Sequence, residues 1–188
     1  MDGKLVIISG PSGTGKTTIV KYLLDSGINL AFSVSATTRE PRLTEKDGTD
    51  YFFLSVPEFR TKMENGELVE WQEVYPDILY GTLRSEMGRI WTSGCHVLFD
   101  VDVYGGINLK KIFGNRAIAL FIMPPSVKDL IKRLGKRASE SEVEIKMRVE
   151  KAEEEMLLAN QFDSIIVNKL LDAAKEEALQ LVTSFLGR

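Results

Sequence analysis

The sequence predicts an α/β fold: a parallel sheet core with helices on both faces, an inserted lobe with a small mixed sheet, and a helical lid. Apolar runs of strand length recur between helical patterns, at residues 5–8, 97–101, 117–122 and 164–167. Such alternation is typical of parallel strands joined by crossover helices, and the nearly continuous apolarity favours strands covered on both faces. We expect a further strand around Phe32-Ser33-Val34.

The bulk composition is that of a soluble globular domain. The chain has 188 residues, of which 44% are hydrophobic and 27% charged, so it can bury a substantial core. Its 24 Lys and Arg against 27 Asp and Glu give a net charge of -3, which provides no general attraction to nucleic acid or to an anionic membrane. No apolar run approaches the ~18 residues of a membrane span, and the single Cys95 is typical of a reducing compartment. We expect a cytoplasmic protein, monomeric or homodimeric, that acts without nucleic acid or membrane partners.

The first predicted strand leads into a loop that fills every fixed position of the phosphate-binding pattern G-x-x-x-x-G-K-[ST]. The loop consists of Gly10, Pro11, Ser12, Gly13, Thr14, Gly15, Lys16 and Thr17. A helix is predicted to follow it from Thr18. Glycines allow backbone N–H groups to point at phosphate oxygens, at the positive end of the helix dipole. Lys16 adds a positive charge for the terminal phosphates, and the Thr17 hydroxyl can bind Mg²⁺. This arrangement, that of a P-loop NTPase, predicts binding of a nucleoside triphosphate rather than a glycine-rich turn without a ligand.

Residues 35–82 interrupt the alternation of buried strands and helices with several short strands, and this change of pattern predicts the inserted lobe. Short strands are expected at 51–54, 68–71 and 78–80. One helix interrupts them at Ser55-Val56-Pro57-Glu58, a segment that combines a capping box with a proline in the first helical turn.

Two helical patterns after Pro124-Pro125 predict the lid. Ser126 opens the first of them, and the second extends over about 140–160. A last helix is expected over about 172–186. We therefore expect a single domain over residues 1–188. It divides into a core of residues 1–34, 83–125 and 160–188, a lobe of about 35–82 and a lid of about 126–159.

The segment 35–42 contains two arginines that suit a phosphate group. Arg39 and Arg42 are three residues apart, and a proline between them keeps the chain extended or turned, so both guanidinium groups can fork onto one phosphate. Ordinary surface arginines on a solvated loop are the alternative, and the segment alone does not decide. Tyr51 and Tyr80, each beside a glycine-containing turn, can donate to the same anion, although a single tyrosine is more often a half-buried packing residue.

Three carboxylates stand where a ligand can be recognised. Glu70 lies among apolar neighbours; facing a cleft, its carboxylate would accept two parallel hydrogen bonds from the N–H/NH₂ edge that guanine offers and adenine does not. From that segment alone, an outward-facing residue on a half-exposed strand is the favoured alternative. Asp100 and Asp102 follow a buried parallel strand at the edge where open α/β sheets bind ligands. Asp100 would reach Mg²⁺ through water, unless it caps a turn before Gly105-Gly106.

Arginines in the predicted lid suit phosphoryl transfer. Arg133 and Arg137 are four residues apart and project from one side of a helix if it extends that far, while Arg148 lies on the next helix. A hinged helical pair with inward arginines can neutralise the charge that accumulates on a transferring phosphoryl group. Solvated surface charge is the alternative, and it is expected for most of the other basic residues there.

Together these residues resemble the guanylate kinase family, and the resemblance covers essentially the whole chain. The Ser-x-Thr-Thr-Arg-x-Pro-Arg segment at 35–42, followed by Tyr51-Phe52-Phe53, is far more specific than the phosphate loop, which many nucleotide enzymes share. Further matching stretches follow in family order: Glu70-Trp71, Tyr80-Gly81-Thr82, Asp100-Val101-Asp102, Pro124-Pro125-Ser126, 133–137, Arg148 and Ile166-Val167-Asn168.

The resemblance implies ATP-dependent phosphorylation of GMP, and also of dGMP, with Mg²⁺, by direct in-line transfer. By matching position, the acceptor phosphate would be held by Arg39, Arg42, Tyr51 and Tyr80. The guanine would be recognised by Ser35, Glu70 and Thr82, with Asp102 close by. The ATP phosphates would lie on the loop 10–17 and Thr18, under Arg133, Arg137 and Arg148, with Asn168 near the adenine. The catalytic set would be Lys16, Arg39, Arg137, Arg148 and Asp100, with Thr17 on the metal.

Two other functions remain open beside this one. Guanylate-kinase-like domains of scaffold proteins keep the fold but bind peptides, and they generally have degraded phosphate loops, whereas Lys16 and Thr17 are intact here. A different acceptor, such as AMP or a small phosphorylated metabolite, is the other possibility. The sequence departs from the family pattern at Ala36, at Pro76-Asp77-Ile78 and at Tyr104, none of which has a named role.

Overall fold

The computed structural model describes residues 3–135 and 142–187, and it confirms the predicted fold class. Its strands are β1 (Leu5–Ser9), β2 (Leu30–Phe32), β3 (Ala36–Thr37), β4 (Phe52–Phe53), β5 (Leu68–Tyr75), β6 (Ile78–Leu83), β7 (His96–Asp100), β8 (Ala117–Met123) and β9 (Ser164–Val167). A five-stranded parallel sheet has the order β2-β7-β1-β8-β9, and a four-stranded mixed sheet has the order β4-β3-β6-β5.

The inner strands of the five-stranded sheet are buried along their length. Every residue of β1 is fully buried, and so is most of β8, as expected for parallel strands covered on both faces. The strands predicted at 5–8 and 164–167 are confirmed. The strand expected around Ser33 ends earlier, at Phe32, because the Val34 N–H bonds to the Glu86 carboxylate at 3.2 Å and not to a neighbouring strand.

The four-stranded sheet contains the strands predicted between 51 and 80, and two of them are longer than expected. Its own small core consists of Ala36, Phe59, Leu68, Leu79 and Leu83. The expected turn beside Tyr80 was wrong, since Tyr80-Gly81 lies inside β6. A Cβ on Gly81 would lie 2.9 Å from the Glu70 carbonyl oxygen and 3.0 Å from the Phe59 ring, so the glycine permits close strand packing rather than a turn.

The helices are α1 (Lys16–Asp25), α2 (Val56–Glu64), α3 (Arg84–Thr92), α4 (Val103–Phe113), α5 (Val127–Gly135), α6 (Glu142–Leu157) and α7 (Leu171–Leu186). The capping box of α2 is confirmed, because Ser55 Oγ accepts from the Glu58 N–H while Glu58 Oε2 accepts from the Ser55 N–H at 2.8 Å. α5 and α6 pack through Leu130, Leu134 and Ala152. α6 ends at Leu157, before the end predicted at about residue 160.

The described residues form two compact units. One contains residues 3–5 and 29–99, and the other contains residues 6–28, 100–135 and 142–187. The division of the chain into core, lobe and lid stays a prediction. Within the described ranges, no helix is both long and apolar enough to cross a membrane.

Candidate active site

The phosphate loop, residues 10–15, connects β1 to the first residue of α1 in a backbone path that requires glycine. Gly10 has φ 136°, and a Cβ there would lie 2.3 Å from the Ile122 carbonyl oxygen. Gly15 has φ 95° at the N-cap of α1, and a Cβ there would lie 2.6 Å from Asn168 Nδ2. Both values are in the left-handed region that side chains rarely adopt. The loop therefore opens directly onto the positive end of a helix, as the motif predicts.

Lys16 lies across this loop. Its Nζ donates to the carbonyl oxygens of Gly10 at 2.6 Å and Pro11 at 3.0 Å. The Thr14 hydroxyl donates to the same Pro11 oxygen at 2.9 Å, and Thr14 is fully buried. The ammonium group is therefore placed at the start of the loop, where a phosphate cradled by the backbone would meet it.

Thr17 and Asp100 form the predicted acid–hydroxyl pair. The Thr17 hydroxyl donates to Asp100 Oδ2 at 3.4 Å, with Asp100 at the end of β7. Burial raises the pKa of Asp100 above its ordinary value, while the charge of Lys16 and the Thr17 bond act in the opposite direction. Hydroxyl and carboxylate oxygens are the hard donors that Mg²⁺ prefers, so the chemistry of this pair fits that ion.

Arg133 and Asn168 hold the loop from outside. Asn168 Nδ2 donates to the Thr14 carbonyl oxygen at 2.7 Å, and Arg133 Nη1 reaches the same oxygen at 3.5 Å. Arg133 Nη2 donates to the Asn168 carbonyl oxygen at 2.7 Å. Asn168 is 3% exposed, and its Oδ1 has no partner among the described residues. Both residues predicted to contact ATP thus also fix the backbone of the phosphate loop.

The remaining predicted residues of this unit have mixed outcomes. Arg148 donates through Nη2 to the Ser12 hydroxyl, which places it at the loop. Asp102 caps α4, since its Oδ1 accepts from the Gly105 N–H at 2.7 Å, and its place near guanine stays a prediction. Arg137 lies outside the described residues. Thr18 is exposed in the first turn of α1.

The other unit contains a second anion-binding candidate, centred on Arg39. Its Nε donates to the Tyr80 hydroxyl at 3.2 Å, and its guanidinium carbon lies 5.4 Å from the centre of the Tyr51 ring. Tyr51 and Tyr80 meet edge to face with ring centres 5.9 Å apart. The Nη2 of Arg39 donates to both carboxylate oxygens of Glu45 at 3.0 Å. The structure thus brings together three of the four residues predicted to hold the acceptor phosphate.

Arg42, the fourth, is exposed three residues away, and its backbone N–H also donates to Glu45, at 2.8 Å. Although burial acts to lower the pKa of Arg39, its hydrogen bonds to Tyr80 and Glu45 outweigh that effect and raise the pKa above the ordinary value. Arg39 is therefore a fixed positive charge, as binding of an anion requires.

Glu70 and Thr82 lie opposite each other on β5 and β6. The Thr82 hydroxyl donates to Glu70 Oε1 at 2.8 Å, and the two residues are register partners in the antiparallel ladder. Thr82 is fully buried and Glu70 half-buried, and the recognition of guanine by Glu70 stays a prediction beside its alternative, an outward-facing residue on a half-exposed strand. Ser35, the third predicted guanine ligand, is half-buried just before β3, and its carbonyl oxygen accepts from the Phe52 N–H at 2.9 Å.

Two carboxylates that the sequence did not single out belong to these surroundings. Glu45 pairs with Arg39, and Glu86 binds the chain that leads to Ser35. Glu45 follows Arg42 at the spacing of a tight turn, a signal that could have suggested a return contact to its N–H. Glu86 accepts a hydrogen bond from Val34, more than fifty positions earlier, and no local sequence pattern predicts that contact.

Comparison with known proteins gives a consistent result. A family model described as guanylate kinase matches residues 2–185. A guanylate kinase of Bacteroides thetaiotaomicron is 50% identical over 188 residues, which are 100% of this chain and 92% of the relative. One of Porphyromonas gingivalis is 48% identical over 186 residues, covering 98% of this chain and 99% of the relative. The crystal structure of guanylate kinase from Anaplasma phagocytophilum matches with a TM-score of 0.79 at 27% identity, covering 99% of this chain and 87% of that one.

Proposed function

Because the chain belongs to the guanylate kinase family and is therefore a kinase, we propose that it transfers the γ-phosphoryl group of ATP to GMP, giving ADP and GDP. The observation that carries the proposal is the coexistence of an intact phosphate loop with the Glu70–Thr82 pair and the Arg39 cluster. The same residues would accept dGMP, since none of the contacts described requires a ribose hydroxyl. This activity belongs to purine nucleotide metabolism, and we expect it in the cytoplasm.

The donor nucleotide would bind the loop that Arg133 and Asn168 hold. Backbone N–H groups of residues 10–17, together with Lys16, would surround its phosphates at the start of α1. Arg148, already bonded to the Ser12 hydroxyl, would add positive charge there, as would Arg137. Asn168, which also fixes the Thr14 carbonyl oxygen, would lie near the adenine.

The acceptor nucleotide would bind the unit that contains Arg39. The phosphate of GMP would take hydrogen bonds from Arg39, Arg42, Tyr51 and Tyr80, since the guanidinium groups stay charged and the phenol groups can donate. The Glu70 carboxylate, held in place by the Thr82 hydroxyl, would accept from the N–H and NH₂ groups of guanine, and Ser35 would complete the contacts within this unit. Adenine presents no such pair of donors, so it would leave a half-buried carboxylate without partners.

The reaction needs no covalent bond to the protein. An oxygen of the acceptor phosphate would form a bond to the γ-phosphorus, while the bond from that phosphorus to the β–γ bridging oxygen breaks and its electron pair leaves with ADP. Lys16 and the arginines would offset charge on the transferring group. Thr17, with Asp100 through water, would hold Mg²⁺, which when bound neutralises charge on the ATP phosphates.

The test is a turnover assay with ATP and Mg²⁺ in which GMP, dGMP, AMP and UMP are compared as acceptors. ADP and the diphosphate of the guanine nucleotides are expected, with far slower reaction of AMP and UMP. Absence of ADP with GMP would overturn the proposal and favour a peptide-binding module. ATP carrying a chiral γ-phosphoryl group tests the mechanism, because direct in-line transfer inverts the configuration at phosphorus, whereas a covalent enzyme intermediate retains it.

A further inference from the structure

We propose that Glu45 is a positioning residue for the acceptor phosphate: it holds the Arg39 guanidinium and the turn that carries Arg42 in the orientation that receives GMP. The inference rests on the proposed function and adds to it a residue with no assigned role. Glu45 would not touch the nucleotide. It would act through the arginines that do.

The Glu45 carboxylate is anchored by its own turn. The Glu45 N–H donates to the Arg42 carbonyl oxygen at 3.0 Å, and the Arg42 N–H donates back to Glu45 Oε2 at 2.8 Å. Both Glu45 oxygens also lie 3.0 Å from Arg39 Nη2. One carboxylate therefore fixes the backbone of one arginine and the side chain of the other. A local anchor of this kind distinguishes it from a mobile surface counter-ion.

Arg39 is held on its other sides by groups that bear no charge. Its Nε donates to the Tyr80 hydroxyl at 3.2 Å, and its Nη1 donates to the Glu40 carbonyl oxygen at 2.6 Å. The rings of Tyr51 and Phe53 lie 5.4 and 5.8 Å from its guanidinium carbon. Every guanidinium nitrogen thus has an acceptor, and Glu45 supplies the negative charge.

The ion pair is well shielded from water. The Arg39 and Glu45 side chains are 19% and 14% exposed, whereas those of Arg60 and Asp77, another Arg–carboxylate pair of this unit, are 60% and 66% exposed. Although burial acts to raise the pKa of Glu45, the bonds from the Arg42 N–H and from Arg39 outweigh it and hold the pKa below its ordinary value. Glu45 is therefore ionised at neutral pH.

Fixing a long side chain before the ligand arrives lowers the entropic cost of binding. Without the Glu45 charge, Arg39 would keep neutral acceptors but lose the partner that sets the direction of Nη2. The chain around Arg42 would lose its return hydrogen bond at the same time. GMP would then have to order both arginines itself, and its affinity would fall while ATP binding stays the same.

The closing experiment compares Glu45→Gln with the wild type by titration calorimetry and by steady-state kinetics. Glu45→Gln should raise the Kd and KM for GMP about tenfold, the effect of weakening one charged hydrogen-bond set, and leave the KM for ATP and kcat within about twofold. Glu45→Asp, which keeps the charge on a shorter arm, should recover part of the loss. Asp77→Asn is the matched control, because it removes an exposed arginine partner in the same unit, and it should change neither KM.

A second measurement tests whether the effect passes through Arg39. In an Arg39→Ala background, Glu45→Gln should lose most of its effect on GMP affinity, because one of the two groups that Glu45 orients is gone and only the Arg42 turn is left. A full additive loss would overturn the inference. So would unchanged GMP binding by Glu45→Gln, or tighter binding, which would make Glu45 a competitor of the phosphate. Failure of the wild type itself to bind GMP would instead contradict the proposed function.

Discussion

The hydroxyl of Thr82 and the carboxylate of Glu70 face each other across β5 and β6, joined by a hydrogen bond of 2.8 Å. Thr82 is fully buried, so its hydroxyl is fixed by the strand, and the bond fixes the direction of the Glu70 side chain in turn. Recognition of a base edge needs such restraint. A carboxylate that rotates freely would not keep its two oxygens aligned with two parallel hydrogen-bond donors of the base.

Glu70→Gln should therefore impair GMP use selectively. Glutamine keeps the shape but offers one acceptor oxygen instead of two, so the KM for GMP should rise about 10- to 100-fold, while the KM for ATP changes by less than about twofold. Steady-state kinetics with each nucleotide varied in turn give both values. Glu73→Gln, at an exposed position of the same strand, is the control. Equal losses for the two nucleotides would contradict a role in base recognition.

Thr17→Val should reduce turnover through the metal rather than through nucleotide affinity. Valine keeps the shape of threonine and removes the hydroxyl that bonds Asp100 at 3.4 Å. We expect kcat to fall about 100-fold and the Mg²⁺ concentration for half-maximal rate to rise, because one oxygen ligand is lost. Magnesium titrations of the rate at saturating ATP and GMP measure both. Thr92→Val, on the surface of α3, serves as the control; an unchanged magnesium requirement in Thr17→Val would exclude Thr17 from the metal site.

Asn168→Ala should loosen the phosphate loop. It removes the buried 2.7 Å bond to the Thr14 carbonyl oxygen and leaves a cavity against Gly15. The KM for ATP should rise about tenfold, and the free energy of unfolding should fall by about 1–3 kcal/mol, with the KM for GMP unchanged. Kinetics and urea unfolding test the two parts separately. Asn160→Ala, at an exposed position, should change neither quantity, and normal ATP kinetics in Asn168→Ala would show that the loop does not need this contact.

Glu86→Gln should lower stability in a pH-dependent way. Hydrogen bonds from Arg89 overcome burial and lower the pKa of Glu86 in the folded protein, with the Val34 N–H adding to the effect. A lowered folded pKa means that the ionised carboxylate stabilises the protein fully above its unfolded pKa of about 4.3, and that this contribution is lost as the pH falls through the lower folded value. We expect Glu86→Gln to lower the free energy of unfolding by about 1–3 kcal/mol at pH about 7.

Urea unfolding of both proteins between pH about 7 and 3.5 measures this difference, which should shrink on the acid side. Glu67→Gln removes an exposed carboxylate from its pair with Lys62 and should have a much smaller effect. A gap between wild type and Glu86→Gln that stays constant over the whole range would show that the Glu86 charge is not the cause.

Local signals predicted the elements that are defined by local chemistry. The apolar runs at 5–8 and 164–167 are strands, the capping box at Ser55 begins α2, and the phosphate loop leads into α1. α4 escaped prediction because Gly105-Gly106 weakens helix propensity in its first turn. Gly106 serves packing instead, because a Cβ there would lie 3.1 Å from the ring of Phe162. α3, which was not predicted either, is short and also contains a glycine. β3 has only two residues, and they form a strand because β4 and β6 pair with them on either side.

Residue types at the candidate site followed from the sequence, whereas their partners did not. Arg133 was expected to face phosphates, but its guanidinium also donates to the backbone oxygens of Thr14 and Asn168, which are 154 positions apart in the chain. Glu45 contacts Arg42 across a turn, and Glu86 contacts Val34 from the first turn of α3. Motif spacing therefore predicts which chemical groups a site contains. It does not predict the partners of those groups, because the partners come from distant parts of the chain.

The hydrogen bonds that Arg133 and Asn168 donate to the Thr14 carbonyl oxygen have a consequence for folding during synthesis. These donors come from residues 119 and 154 positions further along the chain, so the ribosome delivers the nucleotide motif long before the groups that shape it. A nascent chain would carry a complete motif in sequence and an unformed cradle in space. On the proposed function, we therefore expect ATP to bind only after this unit has folded, and to stabilise the folded unit.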